Sequence, residues 1–208
     1  MDKCIENGIK NIVFDLGQVL LRYDWEGYLH RLGYEGEMFE ILADAVFRNP
    51  DWETGDVGCV TPEEWEQLFI KNGPEYEEDI KKVFSGIGET ISKFSYTDPW
   101  VKYLYEKGYR LYFLSNYSEK LHQDTVQHMD FMKMFIGGIF SYEVKCIKPD
   151  LKIYQLLLEK YKLCPEETLF FDDREVNVLA ARKLGIQAKI FTSDVACDML
   201  QMVEIISA

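Results

Sequence analysis

Runs of basic residues are absent from this 208-residue chain, and histidine, cysteine and proline are sparse. Lys and Arg number 23 against 36 Asp and Glu, a formal charge of −13. No Lys/Arg cluster is available to neutralise a phosphodiester backbone, so DNA and RNA are excluded as expected partners. The five cysteines, Cys4, Cys59, Cys146, Cys164 and Cys197, are scattered, odd in number and without C-x-x-C spacing. They form no disulfide-like framework and read as reduced thiols in a cytoplasm. Residues 1–10 carry Asp2, Lys3, Glu6 and Lys10 where a signal peptide would be apolar, and no later stretch approaches a membrane span. The expected protein is therefore cytoplasmic, with no membrane partner. His30, His122 and His128 lack metal-ligand spacing with carboxylates or cysteines and receive no catalytic role.

What remains is ordinary globular composition, 47 % hydrophobic and 28 % charged, in a chain long enough to bury its own core. Folding requires no oligomer, and the oligomeric state stays open. The negative charge repels a small phosphate ester at long range. Any phosphate site must then be locally positive, through Lys, backbone N–H groups or a metal ion.

Short apolar runs at Ile12 to Phe14, Leu111 to Leu114, Ile136 to Phe140, Leu169 to Phe171 and Ala188 to Phe191 read as buried parallel strands. Helical patterns lie between them. Asp98, Pro99 and Gly108 are placed as N-cap, first-turn and C′ residues of one helix, and Gly185 stands where a helix from about Glu175 should stop. This alternation predicts an α/β fold with a doubly wound, mainly parallel Rossmann-like sheet. The first two strands are separated by roughly 90 residues that carry helix signals of their own, well beyond an ordinary crossover. One is Thr61-Pro62-Glu63-Glu64, a capping-box pattern followed by Trp65, Leu68 and Phe69 at helical spacing. A small α-helical cap domain over 23–95 is therefore expected, inserted into a core domain of 1–22 and 96–208. Asn49 to Val60 is turn-rich and reads as a joint between cap helices, and Glu75, Glu77, Glu78 and Asp79 read as a solvated helix face. Trp25, Trp52, Trp65 and Trp100 are more commonly core anchors than ligand contacts.

Polar groups stand immediately beyond the predicted strands: Asp15, Ser115 with Asn116, Lys148, and Asp172 with Asp173. Ligands of open α/β sheets bind at the carboxyl ends of the strands, where these groups would share one crevice. Each also has a plain structural reading: a turn aspartate, a helix-capping serine, a solvated lysine, an N-cap aspartate.

Taken together, the order carboxylate, hydroxyl, ammonium, paired carboxylates resembles the haloacid-dehalogenase-like hydrolases, a superfamily dominated by phosphatases. The motifs read NIVFDLGQVLL, LYFLSNYS, IKPDLKIY and FFDDREVN. The resemblance implies Asp15 as a nucleophile that forms an aspartyl-phosphate. It implies Ser115 and backbone donors around Asn116 on the phosphoryl group, Lys148 as counter-charge, and Mg²⁺ as cofactor. Asp15, Asp173 and the carbonyl of Gly17 would hold the metal, with Asp172 beside it and Asn177 supporting the loop where the family often has an acid. The expected partner is a small phosphorylated substrate.

The chain departs from the family at Gly17, where the second aspartate of D-x-D, the usual general acid, is missing. That loss is worth about 10²- to 10⁴-fold in rate for a poor leaving group. An anomeric sugar phosphate depends less on the acid, and this first motif resembles that of a bacterial α-glucose-1-phosphate phosphatase subgroup with D-L-G. Asp24 is weighed as a proton donor at the cap entrance and as an N-cap beside Trp25. Two rival functions stand beside the phosphatase. A 2-haloacid dehalogenase would ignore EDTA, and a non-catalytic binding protein of the same fold would turn over neither substrate.

Overall fold

The computed structural model of the chain describes residues 8–192 and Val195; Cys4, Cys197 and the first seven residues lie outside these. The run Asn-Ile-Val-Phe forms β1 (Asn11–Phe14), buried on both faces, which is why it shows no polar alternation. A tight loop leads to β2 (Leu21–Tyr23). Then come α1 (Trp25–Arg31), α2 (Gly36–Leu42) running into a π-helical turn at Ala43–Phe47, α3 (Asp51–Val57), α4 (Pro62–Asn72) and α5 (Glu77–Ser85). β3 (Ile91–Lys93) returns antiparallel to β2, so the helical insert leaves and re-enters through a two-stranded ribbon. The rest of the chain alternates: α6 (Thr97–Glu106), β4 (Arg110–Ser115), α7 (Glu119–Thr125), β5 (Gly137–Phe140), α8 (Ser141–Val144), α9 (Leu151–Tyr161), β6 (Thr168–Asp172), α10 (Glu175–Arg182) and β7 (Gln187–Ile190).

The main sheet among the described residues has the order β5-β4-β1-β6-β7, with every neighbouring pair parallel. Strand order reverses around β1, the position at which a doubly wound sheet opens a crevice. Phe14 lies opposite both Phe113 and Phe171, and the Asp15 N–H still donates to the Phe171 carbonyl at 2.8 Å. The first residues past these strands are thereby held level at one edge. Beneath them Trp100 of α6 packs edge-on against Phe14, with ring centroids 5.0 Å apart, and also meets Phe171 and Phe191.

Three local expectations need adjustment. α6 begins at Thr97, and Asp98 falls in its first turn instead of at the N-cap. The Thr97 hydroxyl donates to the Leu20 carbonyl at 2.6 Å, and the Asp98 carboxylate is drawn to Lys93 at 2.6 Å. Asn49 to Val60 is more than a joint, since it contains α3. The Asn49 side chain accepts the Asp51 N–H at 3.0 Å, and Gly58, at φ +71°, ends the helix. Asp79 is not merely solvated, because it accepts a hydrogen bond from the Tyr34 hydroxyl at 2.7 Å. The capping box of α4 is complete: Thr61 Oγ1 accepts from Glu64 N at 3.2 Å, and Glu64 Oε2 from Thr61 N at 2.9 Å. Thr61→Ala is expected to lower unfolding free energy by about 1 kcal/mol, read as a shifted urea midpoint at unchanged slope.

Candidate active site

Asp15 follows β1 directly, and its Oδ1 collects three donors: its neighbour Leu16 N–H at 2.7 Å, Ser115 Oγ at 2.9 Å and Lys148 Nζ at 2.9 Å. Oδ2 has no hydrogen-bond donor among the described residues. Lys148 precedes α9 in a loop that Asn116 clamps from both sides, accepting the Lys148 N–H at 2.8 Å and donating to its carbonyl at 3.0 Å. The lysine side chain is 1 % exposed and bridges Asp15 to Asp172 Oδ2 at 2.7 Å. Asp172, at the end of β6, is fully buried. It also accepts the Arg174 N–H at 2.8 Å, and the Asn177 amide of α10 donates to its two oxygens at 2.9 and 3.0 Å. Both Asp172 oxygens are thus occupied, which makes it the holder of Lys148.

Asp173, half-buried, completes a triad in which Asp15, Asp172 and Asp173 each offer a carboxylate oxygen within 4.8 Å of the others. Three carboxylates face one buried ammonium, with the exposed Arg174 at the rim acting on Asp173, so negative charge stays in excess. Burial pushes the Asp15 carboxyl up to about 7, with Asp172 and Asp173 adding to the rise and Lys148 opposing it. Burial and the Asp172 charge raise Asp173 as well. Burial disfavours the Lys148 charge, but Asp15 and Asp172 outweigh it and hold the ammonium above the usual lysine range. The cluster lacks positive charge, and oxygen ligands of this kind suit a hard divalent cation.

Above it lies a cavity of about 230 Å³, lined on the core side by Asp15, Gly17, Asn116, Lys148, Asp173, Arg174 and Asn177, and on the insert side by Tyr23, Trp52, Glu53 and Asp56. Of the residues singled out in the sequence, Ser115 and Asp172 sit just behind this lining, joined to it by their hydrogen bonds. Asp24 is elsewhere. It caps α1, accepting the Gly27 N–H at 3.1 Å, pairs with Arg31 at 3.2 Å and does not line the cavity. The N-cap is thus the reading of Asp24 that the geometry takes, and the proton-donor reading is dropped. Trp52 departs from the core-anchor expectation by lining the cavity, whereas Trp65 and Trp100 are buried in the core. Sequence reading missed Asp56 and Glu53 altogether, since two acids in a glycine-containing stretch of an acidic protein carry no pattern.

Carboxylates in excess at the switch point of a parallel sheet place the chain among α/β proteins that bind charged ligands at the carboxyl edge. Residues 9–185 match the family model described as haloacid dehalogenase-like hydrolase. The chain belongs to this family and is an enzyme of the hydrolase class. It is 28 % identical over 127 residues to the phosphorylated carbohydrates phosphatase of Thermotoga maritima, covering 59 % of this chain and 57 % of that one. The match thus spans little more than half the length of that relative. It is 25 % identical over 197 residues to a sesquiterpene phosphatase of Aspergillus oryzae, covering 91 % and 93 %. A HAD family enzyme of Bacteroides thetaiotaomicron, solved with magnesium and inorganic phosphate, superposes with a TM-score of 0.71 at 22 % identity, covering 89 % of this chain and 95 % of that one. No helix among the described residues is long and apolar enough to cross a membrane.

Proposed function

We propose that the chain is a Mg²⁺-dependent phosphatase whose nucleophile is Asp15 and whose substrate is a small phosphorylated metabolite, a sugar phosphate such as a hexose 1-phosphate. The observation that carries this reading is the charge imbalance: three carboxylates cluster beside one buried ammonium, which pairs with Asp15 and Asp172 and not with Asp173. Asp15, Asp173 and the Gly17 carbonyl are the groups to hold Mg²⁺, while Asp172 keeps Lys148 in place. When bound, the cation offsets the like charges of carboxylate and phosphate and polarises the phosphoryl oxygens.

The chain's own groups divide the remaining work. Lys148 and Ser115 fix the orientation of the Asp15 carboxylate before substrate arrives. Ser115 can also turn its hydroxyl toward the phosphoryl group. Asn116 sets the height of Lys148 through its two-sided clamp. Asn177 suits this site because its amide donates to Asp172, where an ionised acid would place charge against charge. The helical segment 23–95 acts as a cap, and its Tyr23, Trp52 and Glu53 select the group attached to phosphorus.

The phosphatase names of two relatives support phosphate esters, and the D-L-G first motif, which resembles that of the α-glucose-1-phosphate phosphatase subgroup, supports an anomeric one. A 2-haloacid reaction needs no metal and would leave the carboxylate cluster without its counter-charge. A panel of sugar phosphates assayed with and without Mg²⁺ tests the proposal. Phosphate release is expected to need the metal, to stop with EDTA and to be faster for hexose 1-phosphates than for 6-phosphates. Turnover that ignores EDTA, or chloride release from 2-chloropropionate, would contradict it.

A further inference from the structure

We infer that Asp56, carried by the cap, is the acid–base residue that Gly17 lacks. The inference rests on the phosphatase reading of Asp15 and adds the proton transfers that reading leaves unassigned.

Asp56 lines the same cavity as Asp15 and Gly17 yet is only 9 % exposed. Among the described residues its carboxyl has neither a hydrogen-bond partner nor an ion pair. The carboxyl opens onto the cavity instead of being sealed in the core, and a largely desolvated carboxyl in a cleft marks a site of chemistry more often than one of stability. Its position is fixed from outside the cavity. The Asp56 carbonyl accepts from Ser141 Oγ at 2.6 Å, and that hydroxyl also accepts the Tyr117 N–H at 2.9 Å. Two residues on, Gly58 adopts φ +71° and lies so close to Tyr142 that a Cβ there would stand 2.7 Å from the Tyr142 carbonyl oxygen. Lys145 donates to the Gly58 carbonyl. α3 is thus pinned to α8 of the core, and the carboxyl it carries is held over the sheet edge. At Gly17 an added Cβ would meet no atom within 4 Å, so the place of the customary acid is open space.

The groups facing Asp56 are Glu53 on its own helix, Asp15 after β1, Lys148 before α9, Tyr23 on β2 and Tyr117 after β4. Burial raises the Asp56 carboxyl to about 8, Glu53 and Asp15 push in the same direction, and Lys148 opposes them. At neutral pH it holds a proton to give.

In the first half-reaction an Asp15 oxygen bonds to phosphorus while the bond from phosphorus to the bridging oxygen breaks, and the Asp56 proton moves to that oxygen to release a neutral alcohol. In the second, Asp56, now a carboxylate, takes a proton from the water that attacks phosphorus. The bond from phosphorus to Asp15 breaks, Asp15 leaves as a carboxylate, and inorganic phosphate and protonated Asp56 remain.

Asp56→Asn tests this on an alkyl phosphate and on para-nitrophenyl phosphate, whose leaving group needs no proton. The expected loss is about 10²- to 10⁴-fold in kcat/KM for the alkyl ester and much smaller for the aryl ester. Aryl turnover should also trap phosphorylated enzyme, visible by intact-protein mass, because the water lacks its base. Adding Gly17→Asp should restore part of the alkyl activity, since the space for that side chain exists. In the unmodified enzyme, alkyl kcat/KM should fall on the alkaline side, where Asp56 loses its proton, while aryl kcat/KM should not. Equal losses on both esters without trapped phosphoenzyme or rescue would reduce Asp56 to a structural role. Undiminished alkyl activity in Asp56→Asn, or an alkaline limb of equal size for both esters in the unmodified enzyme, would overturn the inference. The phosphatase reading fails separately, if the unmodified enzyme with Mg²⁺ hydrolyses neither ester or if Asp15→Asn retains full activity.

Discussion

Asp15→Asn is expected to lower Mg²⁺-dependent phosphate release by roughly 10⁴-fold or more while the protein stays folded. The amide keeps the size of the side chain and can still accept from Ser115 and Leu16, so packing at the end of β1 has no reason to change. It cannot attack phosphorus. The same substitution has a signature in stability. The folded protein holds the Asp15 carboxyl at about 7, above its ordinary 3.8, so folding favours the protonated form. The corresponding stability is complete below about pH 4 and is lost as pH rises through 7. Without metal, unmodified protein should therefore lose melting temperature over that interval, and Asp15→Asn should lose less. Calorimetry in EDTA at pH 5 and pH 8 checks this. A variant that melts much lower than the unmodified protein at both values would show that Asp15 serves the fold.

Lys148→Met carries the second large effect. The methionine fills similar space, but it leaves Asp15 and Asp172 facing each other across a buried gap with no cation between them. Breaking a buried pair from one side costs about 3–5 kcal/mol, a large part of a domain's net stability. Urea denaturation should show that loss, turnover should vanish with it, and saturating Mg²⁺ should recover part of the stability by restoring positive charge near Asp15. An unchanged urea midpoint would mean that the lysine contributes no net binding energy to the cluster. Adding Asp172→Asn should then reduce the cost of losing Lys148, because one of the stranded carboxylates is gone.

The parts of this architecture that could be read in advance are those where chemistry and chain order coincide. An apolar strand buried on both faces has a plain sequence form, and a polar residue directly after it must emerge at the sheet edge. That placed Asp15, Ser115 and Asp172 without knowledge of register. Lys148 was grouped with them as a residue beyond a strand, but α8 separates it from β5 and a loop clamped by Asn116 brings it in, so its role came from the family pattern. α3 was hidden for a physical reason. Gly55 looks like a turn residue, yet it is glycine because a Cβ would stand 2.4 Å from the Trp65 ring. Helix packing, not turn geometry, chose it. Asp56 was hidden with it, as its significance comes from the contact of α3 with Ser141, 85 residues away in sequence. Asp24 shows the opposite case: a carboxylate close in sequence to the first motif, committed to an N-cap and to Arg31.

The covalent step is the heart of the account, and mass spectrometry of acid-quenched enzyme taken during turnover with Mg²⁺ addresses it directly. One phosphoryl group should be found on the peptide containing Asp15, should be absent when EDTA is added before substrate, and should build up in Asp56→Asn. A phosphoryl group on another residue, or phosphate release by an enzyme that never carries one, would contradict it.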